Sequence, residues 1–221
     1  MAERGVVVEF DFTVLNGAEV LFDTTKKFLH DLDGIRFDAA IEADYMAGAL
    51  YLTGLTKYFQ VVKTKKTAQK AARDLAAAFV RELNAAVPKA ITPGFKNFVK
   101  ALADKGVRVV IATRADLDVV KSAFEPLLGR NVSLYHEETC CYGASRWDSW
   151  RRVCIESGLR YTSAVAVAGS GASVKAALWA GLASFAVIND HVAYQDFGGA
   201  DEIVKELSGT TAKKLLEVLH L

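Results

Sequence analysis

The chain has 221 residues, 52% of them apolar and 24% charged, with 27 Lys and Arg against 26 Asp and Glu. That length builds one sizeable core, or a core domain with a small insertion, and the composition excludes a disordered chain. A net charge of +1 excludes bulk attraction to nucleic acid or to an anionic membrane, and no apolar run approaches the ~18 residues that cross a bilayer.

Gly5–Asp11 opens the chain as a β-branched apolar run that turns acidic at its end. It reads as a buried strand with Glu9 and Asp11 at its tip, i and i+2 on one face. The same acids interrupt the apolar Val6–Val8, so no secretory leader is expected. Residues 16–89 then read as helical throughout: Ala18–Leu32, Phe37–Tyr51, a weaker Lys57–Lys63, and the Ala-rich Thr67–Ala86. Pro88 and Pro93-Gly94 are expected to punctuate the return to strands. Tyr45, Tyr51, Tyr58 and Phe59 are expected mostly in the core, with some open to lining a substrate pocket, and Lys63, Lys65, Lys66 and Lys70 on a solvated face.

Beyond residue 90 strands and helices alternate. Strands are expected over Val107–Thr113, Ser163–Gly169 and Ala183–Asn189, with a shorter fifth over Val132–Tyr135. Between them, Phe95–Lys105, Leu117–Leu128, Trp147–Ser157 and Ser173–Gly181 carry apolar residues at helical spacing. This alternation predicts an α/β fold: a Rossmann-like parallel sheet with helices on both faces. The expected division is a core of residues 1–15 and 90–221 with residues 16–89 inserted as a helical domain.

In such sheets ligands bind at the carboxyl ends of the strands. Those ends carry Glu9, Asp11, Thr13, Thr113, Arg114 and Gly169-Ser170-Gly171. Two acids, several hydroxyls, an Arg and a glycine-flanked helix start suit an anion, phosphate most naturally. His30, His136, His191 and His220 are scattered without metal-site spacing, and the three Cys, Cys140, Cys141 and Cys154, form no C-x-x-C pair. The odd count argues against a disulfide scaffold, and a reducing, cytoplasmic compartment is expected.

The order of these parts resembles the haloacid dehalogenase-like superfamily, with a helical cap inserted after the first motif. The family's D-x-D-x-T stands here as Glu9-x-Asp11-x-Thr13, and its second motif as an apolar strand ending at Thr113. The window of its third-motif Lys holds Ser145-Arg146. Its G-D-x-x-x-D motif stands as Gly169-Ser170-Gly171-Ala172-Ser173-Val174, leading into Ala176-Ala177-Leu178-Trp179-Ala180-Gly181. Gly199–Ile203 resembles the family's last loop and helix.

The resemblance implies a nucleophile at Glu9 and an acid/base at Asp11. It implies phosphoryl contacts from Thr13, Thr113, Arg114, Arg146 and Ser170, and a magnesium ion held by Glu9 and Asp11. The departures matter as much. Glu reaches one methylene further than Asp, roughly 1.5 Å, and a misplacement of about 1 Å costs on the order of 100-fold in rate. Ser170 and Val174 replace two acids, so magnesium is expected to bind weakly or not at all. The helix after Ser170 is expected to offer free N–H groups to an anion. An alternative frame makes Asp11 the nucleophile. Two functions stay open: a phosphatase-fold protein with a degenerate site, acting by binding or regulation, and a weak or altered phosphohydrolase on a small phosphorylated metabolite.

Overall fold

The computed structural model describes residues 4–129, 131–137 and 141–220. Strand β1 (Gly5–Glu9) is buried along its whole length, as a β-branched run flanked by neighbours on both edges must be. The chain then enters a single helical turn, α1 (Phe10–Thr13), so Asp11 lies beyond the strand rather than on it. Helix α2 (Gly17–Asp33) ends at Gly34 with φ of 61°, whose N–H donates to the His30 carbonyl at 2.8 Å. A glycine there satisfies an orphan carbonyl without a Cβ penalty.

The helix expected over Phe37–Tyr51 is instead a short α3 (Ala39–Ile41) running into a π-turn, Glu42–Met46. Gly48, at φ of 73°, breaks the pattern. Helix α4 (Tyr51–Val62) absorbs the weaker piece, and α5 (Ala68–Ala90) runs through Pro88. Pro88 falls in the last turn, beside the fully buried Val87, so packing holds the turn despite the lost donor. Tyr51, Tyr58 and Phe59 are buried and Tyr45 is half-buried against the core, and Lys63, Lys65, Lys66 and Lys70 are exposed.

Then follow α6 (Pro93–Asp104), β2 (Arg108–Thr113), α7 (Leu117–Phe124), β3 (Val132–His136), α8 (Trp147–Glu156), β4 (Ala164–Ala168), α9 (Gly171–Ala180) and β5 (Ala183–Val187). The chain closes with β6 (Glu202–Val204) and α10 (Gly209–Val218). Gly199–Ile203 thus leads into a strand, and the last helix begins six residues later. Strand β6 escapes sequence pattern because it is three residues long and its one large apolar side chain, Ile203, faces solvent.

All six strands are parallel, in the order β3-β2-β1-β4-β5-β6. The order runs outward from β1 to β3, then returns to β4 on the other side. Crossovers of one hand running in opposite directions put α6 and α7 on one face and α8 and α9 on the other. The reversal lies at β1, between β2 and β4. There the tips of three strands, Glu9, Thr113 and the Gly169 turn, come side by side at the topological switch point.

Candidate functional site at the strand tips

The site is assembled by three connections leaving the sheet. After β1, the α1 turn points Asp11 across to the tip of β2. After β2, Thr113 and Arg114 face back. After β4, Gly169 turns the chain into α9. That turn needs glycine, because a Cβ at Gly169 would lie 2.4 Å from the Phe12 carbonyl oxygen.

Glu9 is 2% exposed and its two carboxylate oxygens accept three hydrogen bonds. Oε1 takes the hydroxyls of Ser145 at 2.7 Å and Ser173 at 2.8 Å, and Oε2 takes the N–H of Gly169 at 3.0 Å. Asp11 is fully buried. Its Oδ1 accepts from the Thr113 hydroxyl at 2.6 Å, and its Oδ2 from the Arg114 N–H at 2.8 Å and Arg114 Nη1 at 3.2 Å.

Arg114 is itself buried, at 6% exposure. Its Nη2 donates to the Ala144 carbonyl at 3.0 Å and reaches Ser145 Oγ at 3.4 Å, and its guanidinium lies 5.1 Å from the centre of the Phe12 ring. Ser145 therefore links the two carboxylates through one network: Glu9 to Ser145 to Arg114 to Asp11 to Thr113.

Burial pushes the pKa of both Glu9 and Asp11 upward, and the Arg114 charge and the donors pull part of the way back. For Arg114, burial works to lower the pKa, but Asp11, Glu9 and Glu137 outweigh it and the guanidinium stays charged.

The structure thus brings together Glu9, Asp11, Thr113 and Arg114. Ser170 is adjacent, but its hydroxyl accepts from the Ser173 N–H at 3.2 Å and so caps α9. Thr13 donates to the Glu9 carbonyl at 2.8 Å, within its own turn. Arg146 is half-exposed and pairs with Asp148 at 2.9 Å at the start of α8. The helix start expected to be open is filled from within: the Gly171 N–H donates to Gln195 Oε1 at 2.8 Å, and a Cβ on Gly171 would meet the Asp196 carbonyl oxygen at 2.4 Å.

Sequence reasoning missed Ser145 and Ser173 as the groups that hold Glu9. The only signal for them was a hydroxyl in each of the windows where the family motifs carry charge.

A bridge lies beside Ala172, next to Ser173 of this network. The Gly48 N–H donates to the Tyr142 carbonyl at 2.9 Å and the Tyr142 N–H to the Ala49 carbonyl at 2.8 Å, an antiparallel bridge that also pairs Leu50 with Cys141. Beside it, His191 Nε2 lies 3.1 Å from Glu42 Oε2. Burial raises the Glu42 pKa, and His191 counteracts it. Glu42, Gly48, Tyr142 and His191 line a cavity of ≈ 20 Å³, which is room for about one water. Cys141 is buried and free, and Cys140 lies outside the described residues.

The residues present do not fit a magnesium ion. Mg²⁺ needs near-octahedral oxygen ligands with their lone pairs free. Here every carboxylate oxygen of Glu9 and Asp11 already accepts a donor, and two of those donors are fixed backbone N–H groups. Among the described residues, no group of three or more His, Cys, Asp or Glu is placed to hold a metal.

The fold is that of haloacid dehalogenase-like hydrolases of known structure. The chain is similar over 99% of its length to β-phosphoglucomutase from Clostridium difficile, covering 97% of that protein at 12% identity and a TM-score of 0.71. It covers 95% of CbbY from Rhodobacter sphaeroides, solved with phosphate, with 94% of its own length, at 17% identity and a TM-score of 0.65. An HAD-family hydrolase from Deinococcus radiodurans, solved with phosphate and sodium, matches 99% of the chain and 97% of that protein at 16% identity and a TM-score of 0.57. No family model and no curated protein matches the sequence.

Proposed function

We propose that this chain is a phosphatase-fold protein whose hydrolytic apparatus is lost, and that it acts by binding or regulation. One observation carries the reading: both strand-tip carboxylates are buried, and each of their four oxygens accepts at least one of the chain's own donors. A nucleophile must present a free lone pair to the phosphorus. A general acid or base must come within hydrogen-bond reach of the substrate. Glu9 and Asp11 do neither while Ser145, Ser173, Gly169, Thr113 and Arg114 hold them.

In this reading residues 16–89 form a cap over a core of residues 1–15 and 90–221. The bridge between Gly48–Leu50 and Cys141-Tyr142 supports that division. A small phosphorylated molecule is the ligand class, supported by the fold neighbours solved with phosphate. Arg114 is the counter-charge nearest the strand tips. Free Cys141 and Cys154 agree with a cytoplasmic setting, and no helix among the described residues is long and apolar enough to cross a membrane.

A panel of phosphate esters incubated with the protein, with and without Mg²⁺, tests the reading. The expected result is no turnover. Turnover that Glu9→Gln or Asp11→Asn abolishes overturns it in favour of a weak phosphohydrolase.

A further inference from the structure

Two acids buried at the same three strand tips pose an electrostatic problem. An isolated buried carboxylate is costly, and two close together repel. A cation beside them offsets that cost. In this chain a cation is already present and covalently tethered. Arg114 Nη1 and its backbone N–H both meet Asp11 Oδ2, at 3.2 and 2.8 Å. Its other terminal nitrogen is held by the Ala144 carbonyl and Ser145 Oγ, at 3.0 and 3.4 Å, and Ser145 in turn donates to Glu9 at 2.7 Å.

The Arg114 side chain is 7% exposed, that of Asp11 0%. The guanidinium also rests over the Phe12 ring. A guanidinium fixed by carbonyl, hydroxyl, carboxylate and aromatic face at once is pre-organised rather than adventitious.

We propose that the Arg114 guanidinium is the resident cation of this site, paired directly with Asp11 and, through Ser145, with Glu9. The inference rests on the reading of the cleft given above. It goes further in assigning Arg114 the role of the site's counter-ion and in making the folded state independent of Mg²⁺. It follows that the metal is excluded by charge and by occupancy together. Removing Arg114 uncovers two acids with no cation, and so creates a site for one.

The experiment is thermal unfolding of the full chain with and without millimolar Mg²⁺, for the wild type, Arg114→Ala and the double variant Asp11→Asn/Arg114→Ala. The wild-type midpoint is expected to be indifferent to Mg²⁺. Arg114→Ala is expected to lose about 10 °C and to regain part of it in Mg²⁺. Stabilisation of the wild type by Mg²⁺ overturns the proposal, and so does a folded Arg114→Ala that Mg²⁺ leaves unmoved. If Arg114→Ala does not fold, the double variant decides: with both members of the Asp11–Arg114 pair neutralised and only Glu9 left on its serine and backbone donors, it is expected to fold, and its failure to do so counts against a counter-ion role. None of these readouts measures turnover. Mg²⁺ stabilising a wild type that turns over no ester defeats this inference alone, whereas ester hydrolysis by a wild type that Mg²⁺ does not stabilise defeats the non-hydrolytic reading alone.

Discussion

Asp11 and Arg114 form an ion pair buried from solvent, in which one carboxylate oxygen accepts from both the backbone N–H and the guanidinium of the same residue, at 2.8 and 3.2 Å. The pair joins the turn after β1 to the tip of β2, so it is a structural clamp as well as a charge balance. Breaking such a pair from one side leaves an uncompensated buried charge. In urea denaturation, Arg114→Met is expected to cost about 3–5 kcal/mol and Asp11→Asn/Arg114→Met much less than the sum of the two single changes. Additive effects would show that the pair is not coupled.

The serines make a second, milder prediction. Ser145 and Ser173 each donate to Glu9 Oε1. Replacing either by Ala withdraws a donor from a buried carboxylate and is expected to destabilise by about 1.5–3 kcal/mol. Ser170→Ala removes the cap of α9 and is expected to cost about 1 kcal/mol. Equal losses at all three positions would contradict the assignment of Ser145 and Ser173 to the carboxylate.

The pH dependence has a definite sign. Burial raises the pKa of Glu9 in the folded state. The folded protein therefore binds that proton more tightly than the unfolded chain does. Its contribution is fully present below the ordinary glutamate value and is lost as pH rises through the elevated folded value. The stability of wild type relative to Glu9→Gln is thus expected to fall as pH rises across that window. A difference that is flat or rises in urea titrations at several pH values would contradict it.

Much of this architecture was legible in the sequence. The β-branched runs at Val6–Val8 and Val109–Ile111 are buried strands, and the stripes over 95–105 and 147–157 are helices, because hydrophobic period is set by which face is covered. The tip residues Glu9, Asp11, Thr113 and Arg114 do converge, since parallel strands bring their carboxyl ends to one edge. What pattern did not show is where each side chain points. Asp11 left the strand for a helical turn, Arg146 turned to Asp148, and the start of α9 was closed by Ser170 and Gln195. These are choices among nearby partners, decided by packing rather than by spacing. The helix broken at Gly48 and the three-residue β6 lie below the length at which period is readable.

The thiols give a further check. Burial pushes the Cys141 thiol up to about 11 and that of Cys154 up to about 12. Neither is a thiolate near neutral pH, and the thiolate is the reactive form. Peptide mapping after treatment with a thiol reagent is expected to show both unmodified in the native protein and modified in denaturant. Rapid native labelling of Cys154 would contradict the packing around α8.

The backbone contact at Gly169 is equally open to test. An Ala there places a methyl carbon 2.4 Å from the Phe12 carbonyl oxygen, a backbone atom rather than the end of a flexible side chain. The expected cost is about 1–3 kcal/mol or more, read as a lowered urea midpoint. An unchanged midpoint would mean that the β1 and β4 connections are not in contact.

Both strand-tip acids are held by the chain's own donors and its own guanidinium, and everything proposed for the cleft depends on that hold. A crystal structure of the protein grown with Mg²⁺ and phosphate tests it at the atoms concerned. The expected density has Arg114 on Asp11, Ser145 and Ser173 on Glu9, and no magnesium between them. An ordered magnesium ion coordinated by Glu9 or Asp11, with Arg114 displaced, would contradict it.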